Sequence, residues 1–96
     1  MQARTSTWTG TPEALDKWAE HVTTAVQPMV VGLPGNAGAY FFIDRANRRA
    51  LTLTLWSTDE SARTSDANAD ASRARTIEAT GVELLERGSY EVVDSA

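Results

Sequence analysis

Apolar residues recur at intervals of three and four between residues 12 and 29, which is the spacing of one face of an α-helix. The positions that form this stripe are Leu15, Trp18, Ala19, Val22, Ala25, Val26 and Met29. Thr11 can cap the first turn with its hydroxyl, and Pro12 loses no hydrogen bond at the first helical position. Pro28 cannot donate to the preceding turn, so it predicts an end or a kink of this helix.

Four segments have the composition or the alternation that favours β-strands, and they are residues 2–8, 39–44, 50–56 and 82–93. A turn at residues 45–48 joins the second and third segments into a hairpin, because Asp44 and Asn47 suit the two ends of a turn. Gly88 predicts a bulge or a kink in the last strand.

A second helix is predicted between residues 57 and 80. Ser57 and Glu60 have the spacing of a capping box, in which each side chain accepts a hydrogen bond from the backbone amide of the other. Ser65 can cap a new helix, so we expect a break near that residue. Gly81 can adopt the left-handed conformation that ends many helices.

The elements follow one another in the order β-α-β-β-α-β, which predicts an α+β fold of the ferredoxin-like type with an antiparallel four-stranded sheet. In this layout both helices cover one face of the sheet. Residues 50–56 alternate cleanly between leucine and other residues. We expect the leucines to face the helices and Thr52, Thr54 and Trp56 to lie on the opposite face.

The face without helices is predicted to carry aromatic side chains from the neighbouring strand. Two alternating pairs fit this face, Tyr40 with Phe42 or Phe41 with Ile43. An exposed aromatic patch of this kind marks an interface or a ligand site. We expect a mostly apolar pocket either between the helices and the sheet or between two such sheets packed face to face.

The chain has 96 residues and a net charge of −4, which fits one domain over residues 1–96 with an acidic surface. Acidic surfaces repel phosphate backbones, so nucleic-acid partners are disfavoured. The absence of cysteine excludes disulfides and thiolate metal sites, and no other residues have the spacing of metal ligands. No stretch is apolar enough to span a membrane, and the polar residues 1–10 predict no signal peptide and a cytoplasmic location.

Histidine is the side chain that titrates near neutral pH, and His21 is the only one in the chain. It is therefore a candidate general base, although its place at the edge of the helical stripe equally fits a half-solvated boundary residue. Tyr40 can donate a proton to a carbonyl or to superoxide, or it can simply pack in its strand. Arg73 and Arg75 can bind an anionic substrate or remain solvated.

The hairpin at residues 40–56, its terminal Trp56 and the helix start at residues 57–60 resemble the antibiotic biosynthesis monooxygenase superfamily of dimeric α/β barrels. The resemblance extends over residues 2–93, and residues 90–93 fit the last strand of that superfamily. It implies a homodimer that oxidises a hydrophobic aromatic or polyketide-like molecule of secondary metabolism without a cofactor. The same fold also hosts cyclases and non-catalytic dimers that bind small molecules or serve as accessory subunits.

Residue by residue, Trp56 matches the pocket tryptophan of the superfamily. Quinone-forming members carry an asparagine four residues earlier, where this chain has Thr52. Haem-degrading members carry a histidine about ten residues later, where this chain has none, so neither haem nor another cofactor is expected. The candidates that follow are His21 and Tyr40 for catalysis, and Trp56, Thr54, Thr52, Phe42 and Trp8 for substrate binding.

Overall fold

Four strands form one antiparallel sheet in the order β2-β3-β1-β4. The strands are β1 (Gln2–Thr9), β2 (Asn36–Asp44), β3 (Arg49–Trp56) and β4 (Glu83–Glu91). The helices are α1 (Pro12–His21), α2 (Gln27–Val31), α3 (Asp59–Thr64) and α4 (Asp66–Thr80). The computed structural model describes residues 1–96. Its element order and sheet topology confirm the predicted ferredoxin-like α+β fold.

The first predicted helix is divided into α1 and α2 by a π-helical turn at Val22–Val26. Its start is confirmed, since the Thr11 hydroxyl accepts a hydrogen bond of 3.1 Å from the Ala14 amide. Pro28, in the first turn of α2, has no amide to donate, and in a regular helix its ring would meet a carbonyl of the preceding turn. The wider π-helical turn before it avoids that clash and produces the expected change in the helix.

The break near Ser65 in the second helix is confirmed, because α3 ends at Thr64 and α4 begins at Asp66. The predicted capping residue was wrong by one position. Thr58 caps α3, and its hydroxyl accepts from the Ser61 amide at 3.0 Å. Ser57 is still tied to the loop before β2, where its amide donates to the Gly35 carbonyl at 2.9 Å, so the helix begins one residue later.

The orientation predicted for β3 is reversed in the structure. Trp8 of β1 lies opposite Ala50, and both pack in one buried cluster with Leu15 and Trp18 of α1. The even-numbered residues of β3, through to Trp56, therefore face the helices, and the leucines face away. Strand alternation determines which residues share a face, but β3 has large apolar side chains on both faces, so the pattern could not tell which one the helices cover.

The face turned away from the helices is an apolar surface, which we call the outer face. Its members lie on β2, β3 and β4, and they are Tyr40, Phe42, Leu51, Leu53, Leu55 and Tyr90. Tyr40 is 57% exposed and Phe42 is 48% exposed, and their rings stack with centroids 6.1 Å apart. The aromatic patch predicted on the helix-free face is therefore present, with the Tyr40 and Phe42 pair in place of Phe41 and Ile43.

Candidate functional site

A cavity of about 440 Å³ lies between the helices and the sheet of a single chain, which is the size of a small-molecule site. This is one of the two expected positions of the pocket. The other position, between two sheets, would need a second copy of the chain. The sheet contributes the side chains Trp8, Thr52, Thr54 and Trp56. The helical side contributes mainly apolar residues, which are Trp18, Val22, Val26, Met29, Val30 and Leu33.

Two indole rings on the sheet are held in place by threonine hydroxyls. The Trp8 Nε1–H donates to Thr52 Oγ1 at 3.2 Å, and the Trp56 Nε1–H donates to Thr54 Oγ1 at 2.9 Å. Both tryptophans are buried, with 3% and 2% of their surface exposed. Each threonine accepts from an indole, and its own hydroxyl hydrogen can turn toward a ligand. This side of the cavity therefore offers flat apolar surfaces beside two hydroxyl donors.

Trp18 completes the aromatic lining from the helical side. Its ring meets Phe41 edge to face, with the centroids 6.5 Å apart and the planes at 66°. Its Nε1–H is buried and has no hydrogen-bond partner in the protein. All three tryptophans of the chain thus contribute to the cavity lining.

Charged side chains line the part of the cavity between α4 and the strands β1 and β4. Three of them form what we call the arginine cluster, Arg4, Arg73 and Arg87. Arg4 hydrogen-bonds Ser89, and its Nε lies 3.5 Å from Asp66 Oδ1. Asp70 pairs with Arg73 and lies 3.4 Å from Arg87 Nη1. The cavity lining therefore combines indole rings with guanidinium groups.

His21 lies outside the cavity lining and reaches it through one residue. Its Nε2 is 3.1 Å from Thr76 Oγ1, and Thr76 is a buried residue of α4 that lines the cavity. The same hydroxyl lies 2.9 Å from the Ser72 carbonyl, so its hydrogen can point to either acceptor. The geometry connects the only histidine to the cavity by a single hydroxyl group.

Tyr40 and Phe42 are not part of this cavity. Both lie on the outer face, because β2 pairs them with Leu53 and Leu51 across the β2–β3 ladder. The other predicted residues for substrate binding, Trp8, Thr52, Thr54 and Trp56, are brought together in the cavity. The pairing of β2 with β3 thus separates Tyr40 and Phe42 from the other predicted site residues.

Sequence reasoning missed most of the arginine cluster. Arg73 was a candidate anion ligand and does line the cavity, whereas Arg75 is exposed outside it. Arg4 and Arg87 were not singled out. The available signal was that Arg4 shares the alternation of Trp8 on β1, since a charged residue on the covered face of a strand is unusual.

No three His, Cys, Asp or Glu side chains lie close enough together to hold a metal ion. None of the helices has the length and apolar character needed to cross a membrane.

No protein-family model matches the sequence, and no curated protein matches it. Solved structures do match. A candidate antibiotic biosynthesis monooxygenase from Deinococcus radiodurans superposes with a TM-score of 0.80 at 13% identity, covering 100% of this chain and 96% of the other. The monooxygenase ActVA-Orf6 of Streptomyces coelicolor, in complex with the ligand nanaomycin D, superposes with a TM-score of 0.76 at 14% identity, covering 99% and 89%.

The cofactor-independent oxygenase SnoaB of Streptomyces nogalater superposes with a TM-score of 0.73 at 14% identity, covering 98% of this chain and 94% of the other. These structural neighbours are antibiotic biosynthesis monooxygenases. The chain therefore has the fold of that family, at sequence identities where likeness of structure establishes the fold and not the chemistry.

Proposed function

We propose that this protein is a cofactor-independent, monooxygenase-like enzyme that oxidises a phenolic aromatic or polyketide-like molecule. The observation that carries the proposal is the cavity of about 440 Å³, which is lined by three tryptophans and bordered by two threonine hydroxyls. Indole rings bind flat aromatic molecules, and the Thr52 and Thr54 hydroxyls can donate to a ring carbonyl or phenolate oxygen. Structural neighbours described as monooxygenases support the same class of reaction.

The substrate itself supplies the electrons in this reaction. Loss of the phenolic proton gives an electron-rich phenolate, which reduces O₂ and binds one of its oxygen atoms at a ring carbon. That carbon then loses its hydrogen, the ring becomes a quinone, and the second oxygen atom leaves as water. One O₂ is consumed for each phenol, so no external reductant is needed. The protein contributes orientation, exclusion of water and a proton acceptor.

We assign the proton acceptor to His21 acting through Thr76. A phenol beside Thr76 would pass its proton to Oγ1 while the Thr76 proton moves to His21 Nε2, which is 3.1 Å away. This step needs the neutral form of His21 with its proton on Nδ1. The route keeps His21 as the general base although its ring lies outside the cavity.

The activity test is oxygen consumption by the purified chain with a panel of naphthols and hydroxyanthracenes. We expect quinone formation in equal amount to O₂ consumed, and no release of oxygen on adding catalase. His21→Ala and Thr76→Val should both lower kcat while substrate still binds. Thr24→Val is the matched control, because Thr24 also bonds the carbonyl one turn earlier but is exposed on another segment.

Two results would contradict parts of this assignment. Unchanged turnover in both His21→Ala and Thr76→Val would remove the His21 route. Loss of turnover in Tyr40→Phe, with His21→Ala still active, would move the reaction to the outer face.

We also propose that the outer face forms a homodimer with a second copy of the chain. It is a sheet face of leucine and aromatic side chains with no helix over it, and a two-fold axis would set this patch against itself. Leu53→Arg, in the middle of this face, should give a monomer by size-exclusion chromatography with light scattering. Val31→Arg is the control, since Val31 is an exposed apolar residue at the end of α2 and does not belong to the outer face. A monomeric wild-type protein would refute the dimer.

A non-catalytic role in small-molecule binding is the second candidate, and one observation favours it. The carboxylates that line the cavity, Asp66 and Asp70, are paired with arginines, and the only histidine lies behind Thr76. An accessory dimer that holds its ligand, or a cyclase that folds a polyketide chain, would need no oxygen. Tight binding of the aromatic panel without O₂ uptake would favour binding alone, and a cyclised product formed under nitrogen would identify a cyclase.

A further inference from the structure

The arginine cluster, Arg4, Arg73 and Arg87, is not used by the proposed reaction. It carries three positive charges, and only two carboxylates, Asp66 and Asp70, face it. One positive charge is therefore left over beside the cavity, in a chain whose net charge is −4. An excess cation of this kind next to an apolar cavity attracts an anionic ligand group.

In two of the three ion pairs the arginine is the less exposed partner, whereas Arg87 and Asp70 are almost equally exposed, at 61% and 64%. The side chains of Arg4 and Arg73 are only 21% and 19% exposed, whereas those of Asp66 and Asp70 are 55% and 64% exposed. Both carboxylates thus lie toward solvent, and the guanidinium groups of Arg4 and Arg73 lie toward the cavity. The Nε–H of Arg4 is buried and makes no hydrogen bond, although Asp66 Oδ1 lies 3.5 Å from this nitrogen. A buried donor that makes no hydrogen bond costs stability unless a ligand supplies an acceptor.

We propose that the arginine cluster binds a carboxylate of the substrate, so that the natural ligand is an aromatic or polyketide-like acid. This inference rests on the proposed function and adds the chemical class of the ligand. A guanidinium group binds a carboxylate through two parallel hydrogen bonds, and the single excess charge matches a carboxylate better than a phosphate with nearly two charges. A carboxylate bound at the arginine cluster would place the aromatic body of the ligand against Trp8 and Trp56.

The test compares 2-naphthoate with 2-naphthamide, which has the same shape without the charge. Isothermal titration calorimetry on the full chain should show 2-naphthoate binding about tenfold more tightly at low salt, the low end of what a charge-assisted hydrogen bond contributes. Salt should reduce this ratio. Arg73→Gln should bring the ratio close to one and leave 2-naphthamide binding unchanged. Arg75→Gln is the matched control, because Arg75 lies on α4 outside the cavity and should keep the full ratio.

Arg4→Gln provides a second variant if Arg73→Gln does not fold, and it should also reduce the preference for the acid. Equal binding of the two ligands to the wild-type protein would overturn the carboxylate site and leave the aromatic cavity intact. Tighter binding of 2-naphthyl phosphate than of 2-naphthoate would overturn the choice of a carboxylate. Failure of all three ligands to bind would refute the carboxylate site together with the proposed function.

Discussion

Gly35 and Gly81 have almost the same backbone conformation in different surroundings. Their φ angles are +79° and +82°, both in the left-handed region. A Cβ atom at Gly81 would meet nothing within 4 Å, while a Cβ atom at Gly35 would lie 2.4 Å from Ser61 Cβ. Replacing each glycine by alanine therefore separates the cost of the backbone conformation from the cost of a steric clash.

The expected losses of stability follow from these two terms. Gly81→Ala should cost about 1 kcal/mol, because an L-residue in the left-handed region is strained by roughly 1–2 kcal/mol and alanine recovers part of that by restricting the unfolded chain. Gly35→Ala carries the same cost and must also displace Ser61, whose side chain accepts from the amide of the α3 cap Thr58, so it should lose about 2–4 kcal/mol in total. Gly32→Ala is the control, since its φ is −85° and its nearest atom is 3.6 Å away.

Urea denaturation followed by tryptophan fluorescence is the assay, because all three tryptophans are buried in the folded chain. The free energy of unfolding should fall in the order Gly32→Ala, Gly81→Ala, Gly35→Ala, with similar m-values. A difference of 1 kcal/mol corresponds to about 4–8 °C in Tm for a chain of this size. Equal losses for Gly35→Ala and Gly81→Ala would show that the loop before β2 does not press against α3, and the reasoning would fail.

Three further predictions concern the turn, the cavity and the first helix. Hydrogen bonds from the Asn47 side chain, and then from its backbone, lower the pKa of Asp44 from its ordinary 3.8. Wild type should therefore be more stable than Asp44→Ala at pH values above 3.8, and it should lose this advantage as the pH falls through the lowered pKa of Asp44. Urea midpoints measured across the acid range will test this. Thr54→Val should lower the free energy of unfolding by about 1–3 kcal/mol, because the buried indole N–H of Trp56 loses its acceptor. Thr54→Ser should restore most of this stability. Equal urea midpoints for wild type and Thr54→Val would refute this prediction. Thr11→Ala should cost about 0.5–2 kcal/mol through loss of the α1 cap, measured as a drop in Tm, while Thr11→Ser should stay close to wild type.

The element order and most element ends could be predicted from the sequence, because their signals are local. Thr11 before Pro12, the break at Ser65 and the left-handed Gly81 each depend on residues within one helical turn. The cap of α3 was misplaced by one residue since Ser57 and Thr58 are both good caps, and only the hydrogen bond from Ser57 to the distant Gly35 decides between them.

The members of the cavity could be predicted only in part. Trp56 and Thr54 share one face of β3 by strand alternation, and Trp8 joins them once β1 is paired. Alternation could not show that this face meets the helices, because leucines on one side and tryptophans on the other are both suited to burial. The packing of Trp18 and Leu15 against Trp8 and Ala50 determines which face of the sheet the helices cover.

Contacts between residues far apart in the sequence were decided by the tertiary structure alone. Arg4 and Ser89 are 85 positions apart, and His21 and Thr76 are 55 positions apart. Their approach depends on the antiparallel pairing of β1 with β4 and on the packing of α1 against α4. The sequence by itself thus determined the elements and the alternating sides of each strand. The pairing and packing of those elements decided which side encloses the cavity and which charges line it, because a side chain's partners depend on where the whole chain places its neighbours.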